Sequence, residues 1–228
     1  SVINPNAFIW ESQEGAAVRS PTRGDGSASD FLCGTTGGAF VTPFILWESF
    51  NDIASKETVR FIDTNKSYVA GDTLLVTSSN NKVKFIYITD TPIAKNDTVY
   101  IKDIIQSKFF IILSNGVWMT KDIIDFSAAP FFHRVSDKGA SGDAQLAISP
   151  DGDHLFFSIG GALYRTDGIN TIKDTVLPSG ACFIANFPTT NTKPIKSFSA
   201  TVTHISVNPK NASHVVVALG QYDSFITD

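Results

Sequence analysis

Ile148-Ser149-Pro150-Asp151-Gly152-Asp153-His154-Leu155-Phe156-Phe157-Ser158-Ile159-Gly160-Gly161-Ala162-Leu163-Tyr164-Arg165-Thr166-Asp167-Gly168 carries the clearest structural signal in the chain. Pro150-Asp151-Gly152 reads as a turn, because proline presets φ, aspartate bonds the local backbone and glycine accepts positive φ. The run 155–159 is aliphatic and aromatic, and a Gly-Gly pair divides it from a second run that ends at Asp167. Two such runs around a two-residue glycine turn predict a hairpin. Leu155, Phe157 and Ile159 alternate with Phe156 and Ser158, so both faces of the first run carry apolar residues. That mixture suits a strand covered on both sides.

Runs of the same kind recur at 73–77, 83–88, 109–113 and 214–219, each bounded by Asn, Asp, Gly or Ser. They are rich in β-branched and aromatic residues, which is the strand signature. No long stretch places apolar residues at helical spacing between capping signals. Brief helix is expected only around 50–54 and 121–124. The expected class is all-β. The runs also repeat. Gly116-Val117-Trp118-Met119-Thr120-Lys121-Asp122 resembles Gly161-Ala162-Leu163-Tyr164-Arg165-Thr166-Asp167, and 217–228 supplies a looser third copy. Residues 147–152 likewise match 206–211. The aligned aspartates 122, 167 and 228 are 45 and 61 residues apart, against roughly 40–50 residues for a propeller blade before loop insertions. This alignment sets Trp118 against Leu163 and marks it as core.

With its Ser-Pro-Asp-Gly turn, apolar strand, glycine turn and closing Asp167-Gly168, the segment resembles a WD40-like repeat of the TolB type. The match covers about one blade well and 207–228 loosely, and the first hundred residues fit it poorly. The resemblance implies a β-propeller, either a complete small ring or part of a larger propeller, with residues 1–228 as a single domain or fragment of one. It implies a binding or scaffolding role and transfers no catalytic residue. Ala7-Phe8-Ile9-Trp10 would complete the last blade in a closed ring. Continuation beyond Asp228 into a longer propeller is the favoured expectation.

Composition narrows the function. The 228 residues are 43% hydrophobic and 18% charged, with 18 Phe, 5 Tyr and 3 Trp, which argues against disorder. A net charge of −4 gives no electrostatic reason to approach nucleic acid or an anionic membrane. No apolar run approaches the roughly 20 residues of a spanning helix. Cys33 and Cys182 match no metal or redox spacing, so buried free thiols and a disulfide closing a long loop both remain open. Sequons at Asn65, Asn96 and Asn211 mark surface turns. A chain beginning at Ser1 reads as a cleaved mature protein or as a piece of a longer one, with an extracellular, cell-surface or periplasmic location expected.

Motifs for chemistry are sparse. His154 and His214 follow equivalent turns, which favours a structural role over catalysis. No Gly-x-Ser-x-Gly or His-Glu-x-x-His occurs, and Asp151 with Asp153 lacks the further carboxylates of a calcium loop. Gly34-Thr35-Thr36-Gly37-Gly38 lacks the Lys-Ser/Thr ending of a phosphate loop. Thr166-Asp167-Gly168 lacks the aromatic that follows the Asp-box turn of sialidases, and the five arginines form no recognisable motif. No catalytic residue, metal or cofactor is therefore assigned. The binding candidates are Trp47, as a carbohydrate platform, and Arg23 and Asp25 of the integrin-type tripeptide Arg23-Gly24-Asp25. The polar stretches 12–38 and 183–199 are the expected interaction loops. Taken together, these features predict an exported, non-enzymatic propeller acting as a protein-interaction or assembly module. A glycan-binding or glycoside-cleaving propeller is the alternative.

Overall fold

The computed structural model describes residues 42–121, 123–124, 132–172, 192–220 and 224–227, the last four as backbone. The described chain is all-β and divides into two compact units. The smaller takes in 48–107, and most of the remaining described residues form the larger.

Three antiparallel sheets build the larger unit. The first has strands β1 (Phe44–Ser49), β6 (Gln106–Leu113), β7 (Gly116–Thr120) and β8 (His133–Ser136) in the order β1-β6-β7-β8. In the second, β9 (Ala144–Ile148), β10 (His154–Ile159), β11 (Ala162–Asp167) and β12 (Thr192–Ser197) lie side by side in chain order. The third is β13 (Val202–Asn208), β14 (Asn211–Leu219) and β15 (Ser224–Thr227).

The period of two along β10 decides how these sheets stack. Leu155 and Phe157 point one way and join Phe110, Ile112, Val117 and Met119 of the first sheet in one buried cluster. Phe156 points the other way and packs with Ala147 and Leu163 against Val202, Ile205, Val215 and Val217 of the third. The middle sheet is thus covered on both faces. Each of these large side chains contributes about 1.5–3 kcal/mol when fully buried. Among the described residues no sheet closes on itself, and Ala7–Trp10 and Asp228 lie outside them.

Hairpin register corrects the sequence alignment by one residue. Leu113 pairs with Gly116 and Ile159 with Ala162 across the two turns. Counted from there, Val117 stands at the step of Leu163, and Trp118 at that of Tyr164. The slip arises because Gly160-Gly161 is itself a turn, whereas Gly116 is already the first strand residue. Trp118 is nonetheless fully buried.

Two further expectations change. In place of helix at 50–54 there is a turn at Ile53–Ala54, where the Asp52 carboxylate accepts the Ala54 N–H at 3.0 Å. Such a side-chain bond offers the backbone an alternative to helix. At 123–124 the chain also turns, and Asp122 lies outside the described residues. The only helical element among the described residues is a 3-10 turn at Ile169–Thr171; no described helix is long and apolar enough to cross a membrane. The expected loop 183–199 ends in strand β12, paired to β11 with a bulge at Leu163/Tyr164 and Pro194 opposite Tyr164. β12 is the edge of its sheet, where proline interrupts no ladder on the outer side.

In the smaller unit, β2 (Thr58–Ile62) pairs with β5 (Thr98–Lys102), and β3 (Thr73–Thr77) with β4 (Lys84–Ile88). A bridge between Tyr68 and Ile93 links the two pairs. This long ribbon doubles back so that its tip meets its base. The buried Asp103 carboxylate accepts bonds from the Ser78 hydroxyl at 2.9 Å, and from the Ser79 N–H at 2.8 Å and hydroxyl at 3.0 Å. Tyr68, Leu74, Val76, Phe85, Ile93 and Ile101 fill the core between. The chain's entry and exit are joined where Asp52 N–H donates to Ile104 O at 2.8 Å. In sequence, the unit is an insertion between the neighbouring strands β1 and β6.

Candidate functional site

Trp47 on β1 reaches the Pro-Asp-Gly turn between β9 and β10. Its indole N–H donates to Pro150 O at 3.1 Å. The Lys108 ammonium lies 4.1 Å from the ring centroid, within cation–π range. Lys108 is buried and also donates to Gly152 O at 3.1 Å and to the Asn170 side-chain oxygen. Asn170 in turn donates its side-chain amide to Asp151 O at 3.1 Å and its backbone N–H to Asp153 Oδ1 at 2.8 Å. Gly152 is required at the centre. Its φ is +68°, and a Cβ there would stand 2.7 Å from Lys108 Nζ and 2.8 Å from Trp47 Cζ2. The Trp47 indole N–H and ring are therefore engaged within the chain, tying the first sheet to the second.

A second polar group sits at the end of the β10–β11 hairpin, where His154 and Asp167 are register partners. His154 Nδ1 lies 2.8 Å from Asp167 Oδ1 and 3.1 Å from Arg165 Nη2. One tautomer donates to the carboxylate and the other accepts from the guanidinium. Arg165 Nε also donates to Asp167. Burial alone would raise the Asp167 carboxyl, but the bonds from Arg165 and His154 outweigh it and hold it below its ordinary value. Asp151 is held low in the same way, with the Ser149 hydroxyl, the Asp153 N–H and the His154 charge opposing burial.

Ser149, His154 and Asp167 share the composition of a hydrolytic triad, but not its wiring. The Ser149 hydroxyl donates a hydrogen bond to Asp151 and accepts one from the backbone N–H of His154 at 2.9 Å. The imidazole Nδ1 is engaged by Asp167 and Arg165, and the serine hydroxyl is directed to Asp151 and not to the imidazole, so the serine–histidine hydrogen bond of a triad is not formed. This is a hairpin clasp built from charged hydrogen bonds. Among the described residues no group of three His, Cys, Asp or Glu side chains is placed to hold a metal ion.

A groove of about 600 Å³ beside β9 and β13 is lined by Asp143, Gln145, Ser199, Thr201, Thr203 and Gly220, among others. It presents one carboxylate, one amide and several hydroxyls, with the Thr203 hydroxyl already donating to Ala218 O at 3.2 Å. This chemistry suits a neutral, hydroxyl-rich ligand.

Of the sequence candidates, Arg23 and Asp25 lie outside the described residues, as do Cys33, Cys182, the glycine stretch 34–38 and the loop 12–38. The sequon asparagines 65, 96 and 211 are all exposed. Sequence reasoning did not find Lys108 and Asn170. A lysine directly preceding the apolar run Phe109–Leu113 was the available signal, since lysine is almost never fully buried unless paired. Compared with known protein families, curated proteins and solved structures, the chain matches none.

Proposed function

We propose that the larger unit is an arc of a β-propeller of the WD40-like kind, and that the protein is an exported, non-enzymatic module that engages a protein partner. The observation that carries this reading is the row of three antiparallel sheets packed face on face, the second a four-stranded meander in chain order. Propellers repeat such four-stranded units around an axis. Matching steps in successive sheets support it: Val216 pairs with Ser206 as Phe156 pairs with Ala147. His214 and His154 each stand two residues before those positions. Loop insertions on a rigid frame are where binding residues concentrate, and 48–107 is such an insertion. Exposed sequons suit an exported chain.

The polar groove beside β9 and β13 favours a second reading, glycan binding. Asp143 is the single carboxylate among its described lining residues, so no pair for glycoside cleavage is assembled there.

One experiment separates the two. The full chain, and a version with 53–103 replaced by a short Gly-Ser linker, are used to capture partners from the source material and to probe a glycan array. The first reading expects a protein enriched at least about tenfold by the full chain and lost with the insertion, while the larger unit keeps its melting temperature. Glycan binding that Asp143→Asn abolishes, without a protein partner, would establish the second. If the full chain binds neither, the module reading fails.

A further inference from the structure

We propose that the β3–β4 hairpin is a self-association surface, and that its occupant is the same hairpin of a second copy of this chain. Leu74, Val76 and Phe85 point inward and are buried, so the alternate positions face outward. There Leu75 is 61% exposed, Ile86 65% and Ile88 59%. Leu75 pairs directly with Ile86 across the hairpin, and Ile88 pairs with Thr73. The three aliphatic side chains thus form one continuous stripe on the outer face of a two-stranded sheet. A small antiparallel sheet that packs on one side ordinarily presents polar residues on the other. Contiguous exposed apolar patches mark contact surfaces.

Charge along β4 identifies the occupant. Lys84, Ile86 and Ile88 follow one another on the outer face, and exposed Asp90 comes two residues later. The stripe is basic at one end, apolar in the middle and acidic at the other. That pattern is self-complementary under a two-fold axis. Two hairpins laid face to face with their β4 strands antiparallel set Ile86 against Ile88 of the second copy, and Lys84 against its Asp90. A parallel arrangement would set Lys84 against Lys84. An isologous contact of this kind closes at two copies. With three aliphatic side chains a side, it falls among small, transient interfaces rather than permanent ones.

The test is sedimentation equilibrium of the full chain, under reducing conditions so that Cys33 and Cys182 form no cross-link. The range extends to roughly 1 mM, where even a millimolar Kd leaves half the chain dimeric. The expected result is a reversible monomer–dimer equilibrium. Ile86→Asp should raise Kd by about tenfold or more at an unchanged melting temperature, because the side chain is solvent-facing in the monomer. Lys84→Glu and Asp90→Lys should each weaken the dimer, and the two together should restore it. A monomer throughout, a dimer indifferent to Ile86→Asp, or a double charge swap that fails to restore association would each overturn the proposal. So would a monomer that binds phosphatidylcholine vesicles through the stripe and loses them with Ile86→Asp, which would give the surface to lipid.

Discussion

Ser158 shows at the level of one residue how much the environment decides. It is fully buried on the face of β10 that meets the third sheet, and its hydroxyl has no hydrogen-bond partner among the described residues. A buried, unpaired hydroxyl is destabilising, and removing it returns that cost. Ser158→Ala should therefore stabilise the chain by about 1 kcal/mol, read as a shift in the denaturant midpoint. A loss of stability instead would mean that the hydroxyl is bonded to an internal water. His154 gives the contrasting case. Its place after a turn was legible in the sequence, but its partners Asp167 and Arg165 were not. They become neighbours only through the β10–β11 register, which brings residue 167 opposite 154. Trp47 behaves similarly. As a sequence feature it is an aromatic free to face either way. In the fold, Lys108 and Pro150, distant in sequence, fix its orientation.

Strands themselves were well marked. The run 73–77 coincides with β3, and 83–88, 109–113, 155–159 and 214–219 each fall within a residue to a few residues of an observed strand. Alternation and β-branched content suffice there, because each strand buries one or both faces. The pairing of those strands was less legible. Nothing local says that β2 skips to β5 while β3 turns straight into β4, or that the ribbon then folds its tip onto its base. Asp103 holds that fold. Four donors converge on its buried carboxylate: the Ser78 hydroxyl, the Ser79 N–H and hydroxyl, and the Ile105 N–H. Asp103→Ala takes this acceptor from the Ser79 and Ile105 donors and leaves the Ser78 hydroxyl only Ile105 O at 3.3 Å, and it should cost about 3 kcal/mol. Unfolding by denaturant, followed at the Tyr68 and Tyr87 environment of this unit, checks it. A change under about 1 kcal/mol would show that the tip is held by its apolar core alone.

Across the whole molecule, acid is the expected weak point. Asp151 and Asp167 in the larger unit sit below their ordinary value of 3.8. In the smaller unit the Tyr68 hydroxyl and the Asn65 N–H hold Asp63 low. A carboxyl with a depressed folded pKa binds fewer protons folded than unfolded, so its stabilisation is complete above 3.8 and is lost as pH falls through the lower folded value. Melting temperature should fall from about pH 4 towards pH 2, and Asp167→Asn should make that fall shallower. An unchanged slope in the variant would show that the clasp carries no net linkage. What the sequence determined by itself is the β class, most strand positions, the Gly-Gly hairpin and the absence of a familiar catalytic motif, because these depend on residue type and on periods of two. Tertiary structure alone decided the sheet order, the one-residue offset between the β6–β7 and β10–β11 hairpins, the insertion at 48–107 and the outward Leu75-Ile86-Ile88 stripe. Those depend on which distant strands meet, and alternation reads the same whether a face is buried by a neighbour or left to water.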